Sequence, residues 1–168
     1  MLEAAEISHQ RNLDGISRLK SQLTFRISVL SKMLDRQMAE IAAIENLSLG
    51  AYRMLATIDA FETLTAADLV RYTAYDKGAV SRLLAELDAR GLIESKADPA
   101  HGRRKLIALT ASGTNVLKAL EPHVLSRRDQ ISTQLGPTDE RQFAAAIEKL
   151  ATYLSDSLAD PCPASTGD

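Results

Sequence analysis

Lys77, Ser81 and Arg82 recur at helical spacing behind Asp76, with the small residues Gly78 and Ala79 between them and Tyr75 just ahead. A helix whose first turns expose cations, a hydroxyl and little bulk can enter a major groove, where every base pair shows a distinct donor and acceptor pattern. Arg82 and Lys77 suit guanine edges or phosphates, and Ser81 suits either. Downstream, His101-Gly102-Arg103-Arg104-Lys105 is a cationic cluster fit for a minor groove or a phosphate backbone. Asp98 stands five residues before Arg103, a spacing at which a bridge between them would shape the turn. Ser48 and Thr65 each precede an apolar periodic run, so the amides of two more helix starts can face phosphates. Each charge run also has a plainer reading as a solvated turn or helix face.

Other chemistry finds little support. His9, His101, His123 and Cys162 share no metal-like spacing, so no metal site is expected. Cys162 lies in a Pro-rich tail without the cationic neighbourhood of a redox-sensing thiol. There is no glycine-rich phosphate loop and no nucleophile with a base and an orienting partner. We expect no enzyme and no cofactor.

The elements that must hold these residues follow from periodicity. Ile16, Leu19, Leu23, Ile27, Leu30, Leu34, Met38 and Ile41 step by threes and fours, predicting one long helix from Asp14. About 30 residues at 1.5 Å each give roughly 45 Å, too long for a chain of this size to cover alone. Its ends read as dimer contacts. Ser48 caps a second helix, Leu49 to about Ala60, with Tyr52, Leu55 and Ile58 inward. Thr65 and Asp68 form a capping-box-like pair ahead of a third helix, with Leu69 and Val70 inward. A turn is expected at Tyr72-Thr73-Ala74-Tyr75. The fourth helix runs from Asp76 to Arg90 on Val80, Leu83, Leu84 and Leu87, and Gly91 is its left-handed end. Leu92–Lys96 and Arg104–Leu109 read as a small antiparallel hairpin with a basic tip. Thr110 caps a fifth helix to about Leu135, bent at Pro122. Gly136-Pro137 breaks the chain before a last helix capped by Thr138 and lined by Phe143, Ile147, Leu150, Leu154 and Leu158. The fold class is mainly α with a small β-hairpin wing: a winged helix-turn-helix with a helical dimerisation region.

Composition agrees. The 168 residues are 45% hydrophobic and 4% aromatic, which favours small cores between helices. The net charge is −2, yet Arg71–Lys105 carries eight Lys/Arg against five Asp/Glu, a local +3. A basic surface on an acidic body suits a nucleic-acid reader. No signal peptide or membrane helix is read at the N-terminus, so a cytoplasmic location is expected.

The combination resembles the MarR family of bacterial regulators. The matching runs are Leu47-Ser48-Leu49 leading to Tyr52-Arg53-Met54-Leu55, Asp76 through Leu84, Arg90-Gly91-Leu92-Ile93, and Asp98-Pro99 through Arg103 to Leu109-Thr110, then Gly113. The resemblance implies a homodimer built on the first, fifth and sixth helices. It implies double-stranded DNA as partner, as a near-palindromic operator, repression, and release by a small-molecule inducer such as an aromatic acid. Arg18, Arg26 and Tyr52 are the ligand-binding candidates it suggests, against ordinary ion-pair or core roles. The family often has an arginine two residues after the wing aspartate; here that position is Ala100, and the departure implies a groove contact either shifted to His101, Arg103 or Arg104 or weakened. The expected parts are an N-terminal arm and long dimerisation helix (1–46), a DNA-binding lobe (47–110), C-terminal dimerisation helices (111–158) and a disordered tail (159–168). A winged-helix protein-interaction module is the competing function.

Overall fold

The computed structural model describes residues 15–73, 75–98 and 104–159. The chain divides after Pro122 into two compact units.

The first unit opens with α1 (residues 15–21) and α2 (Leu23–Ala42). They are two helices where periodicity predicts one. Gln22 between them is extended (φ −80°, ψ 122°), yet the Leu19-to-Leu23 step crosses it without a change of spacing. A 3-10 turn, Ala43–Glu45, leads to Asn46 in the left-handed region (φ 54°). There the Leu47 amide donates to the Ala42 carbonyl and the Asn46 amide to Ala43, each at 3.0 Å. This is the paired closure of a Schellman motif, and Asn tolerates the left-handed position better than most residues.

Helix α3 (Leu49–Phe61) starts at Ser48, whose hydroxyl accepts the Ala51 amide at 3.1 Å. Helix α4 (Ala66–Thr73) follows the Thr65–Asp68 pair. The expected turn at 72–75 therefore begins later, since Tyr72 and Thr73 complete α4 and the Thr73 hydroxyl donates to the Leu69 carbonyl. Helix α5 (Lys77–Ala89) is capped by Asp76 and ends at Arg90 and Gly91 (φ 64°). Its end is a second Schellman closure, with the Leu92 amide on Leu87 (3.0 Å) and that of Gly91 on Asp88 (2.8 Å).

Strand β1 (Ile93–Ala97) pairs antiparallel with β2 (Lys105–Leu109), with Ser95 opposite Ile107. Leu64 adds a one-residue bridge to Ile107, its amide and carbonyl both bonded (3.0 and 2.8 Å). Helix α6 (Ala111–Ala159) runs on through Pro122, and Gly136 is non-helical inside it (φ 73°, ψ 162°). That interruption is the break expected at Gly136-Pro137.

Met54, Leu55, Ile58, Leu69, Val80, Leu87 and Leu120 are fully buried in one cluster. Each such side chain contributes about 1.5–3 kcal/mol when removed from water. The cluster fixes α5 through Val80 and Leu87, with Leu83 and Leu84 packed half-buried beside them. The apolar stripe of α2 divides. Met38 and Ala42 are buried in the lobe, whereas Leu23, Ile27, Leu30 and Met33 are exposed, as are Ile16 and Leu19 of α1. In the second unit Phe143, Ile147, Leu150 and Leu154 form an exposed stripe of their own. Among the described residues no helix is long and apolar enough to cross a membrane.

Candidate DNA interface

Asp76 begins the site. Its side chain accepts the Ala79 amide at 2.8 Å, so the carboxylate closes the first turn of α5. Lys77, Gly78, Ser81 and Arg82 are exposed on that turn and the next. Ala79, expected to face outward with them, is half-buried, because it precedes the fully buried Val80 and shares part of its face. The Arg82 guanidinium lies back along the helix. A Cβ on Gly78 would sit 3.4 Å from it and 3.1 Å from Asp76 Oδ1. Helical side chains lean toward the N-terminus in this way, which brings the cation over the first turn. Tyr75 is half-buried against the core; it interacts with Arg53, and its hydroxyl lies beside Gly50.

A groove of about 490 Å³ separates the start of α4 from the hairpin. Thr65, Asp68, Ser95, Arg104 and Lys105 are among the residues lining it. Asp68 accepts the Thr65 amide (3.0 Å) and hydroxyl (2.7 Å), while the Thr65 oxygen accepts the Asp68 amide (3.2 Å). These bonds hold the Asp68 carboxyl below its ordinary value, helped by the charges of Arg104 and Arg71. Arg104 and Lys105 are exposed on the hairpin, where the Asp98 amide donates to the Arg104 carbonyl (2.9 Å).

His101, Arg103 and the Asp98–Arg103 bridge lie outside the described residues. Ser48 and Thr65 both serve as helix caps, as their positions suggest. Arg18 and Arg26 are exposed on α1 and α2, while Tyr52 packs half-buried against the core of the lobe. Among the described residues no group of three or more His, Cys, Asp and Glu is placed to hold a metal ion.

The sequence profile of the MarR family matches residues 45–104, from the end of the 3-10 turn to the residue before β2. Residues 45–104 are a MarR-family winged helix. The HTH-type transcriptional regulator YxaD of Bacillus subtilis is 28% identical over 105 residues, covering 62% of this chain and 73% of its own. A Staphylococcus aureus MepR–DNA complex superposes with a TM-score of 0.74 at 20% identity, over 80% of this chain and 98% of that one. A mutant MarR from E. coli complexed with operator DNA gives 0.65 at 20% identity, over 77% and 99%. At these identities the two structures speak for the fold.

Sequence reading misses three features of this MarR-family lobe. The Leu64 bridge is a single residue and leaves no alternation to detect. Arg53 appears in the family-like run without a role, yet its guanidinium lies 2.5 Å from Asp35 Oδ1 of α2. Burial works against its charge, but interactions with Tyr75 and Asp35 outweigh this and raise its pKa further. The third is Arg90, whose guanidinium reaches the carbonyls of Asn46 (2.9 Å) and Glu45 (3.0 Å). A basic residue just before the terminal glycine of α5 is the signal available for it.

Proposed function

We propose that the chain is a homodimeric transcriptional regulator that binds a near-palindromic operator with α5 and the basic hairpin, acts as a repressor in the cytoplasm, and is released by a small-molecule inducer. The observation that carries the DNA reading is the exposed set Lys77, Ser81, Arg82, Arg104 and Lys105 on a helix and hairpin anchored by a buried core. Lys77, Ser81 and Arg82 read base edges, Arg104 and Lys105 hold the backbone, and His101 and Arg103 complete the wing. The helix starts that follow Ser48 and Thr65 turn their remaining amides to phosphates, the Thr65 amide itself being taken by Asp68. The proposed role of Asp76, Gly78 and Ala79 is to keep the leading turn ordered and low. Tyr75 fixes its approach. Asp98 shapes the wing through Arg103.

The relatives' names are those of regulators rather than enzymes, and we carry that reading over. Dimerisation is supported by the exposed apolar stripes at Ile16–Met33 and Phe143–Leu154, one in each unit. Stripes of this kind mark protein contacts. The parts are then 1–46 and 111–158 for dimerisation and 47–110 for DNA. An aromatic acid is the proposed inducer class, with Arg18, Arg26 and Tyr52 as the separate candidate ligand residues.

Gel retardation of duplex from the protein's own promoter tests this reading. Binding is expected to exceed that of scrambled duplex and to weaken steeply with salt, as counterion release requires. Equal affinity for both duplexes would reject it.

A further inference from the structure

Helix α5 is tied to the α2 segment at both ends, by two arginines that do not face the groove. At its leading end Tyr75, the residue before the cap, interacts with Arg53 and favours its charge, and Arg53 pairs with Asp35 of α2. At its trailing end Arg90 donates one N–H to the Asn46 carbonyl and another to that of Glu45. Those carbonyls belong to the closing turn after α2, where helix ends leave acceptors without intrahelical partners and carry partial negative charge. A forked guanidinium meets two of them at once; an ammonium cannot reproduce the planar fork.

The contacts between the ties are apolar. Val80, Leu83, Leu84 and Leu87 pack on the core. Apolar packing resists separation but is not directional, so it leaves the tilt of a helix less fixed than two bonded ends do. Both ties lead to one element, α2 and its closing turn, which runs on from the exposed stripe proposed for the dimer.

We infer that Arg53 and Arg90 are positioning residues that set the angle of α5 against α2, and through it the half-site spacing that the dimer accepts. The inference rests on the proposed DNA reading for the spacing, but not for the angle. Loss of either tie therefore broadens the orientation of α5 while the core stays folded.

The experiment has two arms on the full-length dimer. In the first, spin labels are placed at Lys32→Cys and Ala85→Cys in a Cys162→Ser background. Labelled chain is diluted in unlabelled chain, so that each measured distance lies within one protomer. The distribution is expected to be narrow, and to broaden in Arg90→Lys, Arg53→Lys and Asp35→Asn. The lysine variants keep the charge and the aspartate variant keeps Arg53, so loss of cationic surface is not what is read. An unchanged distribution in all three overturns the inference. In the second arm, operators with half-site centres moved apart by one and by two base pairs are compared. The parent chain is expected to prefer one spacing, and each variant to lose about ten-fold of that preference, the scale of a charged hydrogen bond. A uniform drop at every spacing overturns the positioning role. If the parent chain retards no duplex, the proposed function fails, and the first arm still decides the angle.

Discussion

The carboxylate of Asp68 accepts both the amide and the hydroxyl of Thr65, at 3.0 and 2.7 Å, at the head of α4. The bonds from Thr65, with the charges of Arg104 and Arg71, lower its pKa from 3.8. A carboxyl lowered in the folded state stabilises the fold above its unfolded value and loses that contribution as pH falls through the folded one. Asp68→Asn is therefore expected to be less stable than the parent at about pH 7, with the gap closing below 3.8 as Asp68 protonates. Denaturant titrations at both pH values check this; a gap that persists in acid would mean the charge is not what matters. Thr65→Ala, which removes the reciprocal cap, should cost about 1 kcal/mol.

Gly113 stands where the first turn of α6 meets the end of α5. Thr110 caps that turn by accepting the Gly113 amide (3.1 Å) and donates to the Gly91 carbonyl (2.7 Å). A Cβ on Gly113 would clash with the backbone carbonyl oxygen of Leu92. Backbone cannot swing aside as a side chain can. Gly113→Ala is expected to lose about 1–3 kcal/mol, the range for overpacked sites, despite the gain in helix propensity. Thermal unfolding measures it, and a variant as stable as the parent would contradict the close approach.

Gly78 offers the opposite case. Its Cβ would meet side chains alone: the movable end of Arg82 at 3.4 Å and the capping oxygen of Asp76 at 3.1 Å, which has to give by a few tenths of an ångström. Gly78→Ala should keep its stability, or gain up to about 1 kcal/mol from helix propensity. Operator affinity should nonetheless fall, because the added methyl stands on the surface that enters the groove. Stability and binding moving in opposite directions is the expected signature; unchanged affinity would remove Gly78 from the interface.

Arg82 and Lys105 separate base reading from backbone contact. Arg82→Ala is expected to cost about 1–3 kcal/mol and to relax the preference at one base position. Lys105→Ala should weaken all sequences alike and reduce the salt slope by about one. Competition assays over a panel of single-base operator variants distinguish the two. A uniform loss for Arg82→Ala would reassign it to the phosphates.

How much of this was legible depends on the range of the forces involved. Caps are local, so Ser48, Thr65 and Thr110 could be placed from sequence, as could the left-handed Gly91; Asp76, read as the first residue of its helix, is its cap instead. The break at Gln22 was not legible, because neither proline nor glycine marks it and the apolar step runs across it. Ala79 was misplaced by half a face, since its small side chain reads equally well as surface or as packing beside Val80. Of the site residues, the exposed cations could be listed from type and spacing. The ties made by Arg53 to Asp35 and by Arg90 to Asn46 could not, because they join positions 18 and 44 residues apart and leave no periodic trace.

The most direct measurement is footprinting of the full-length chain on its own promoter, with the mass of the complex determined on the same duplex. Two protected half-sites about one helical turn apart, covered by two chains, are what the account predicts. A single asymmetric protected site, or one chain bound per duplex, would contradict it.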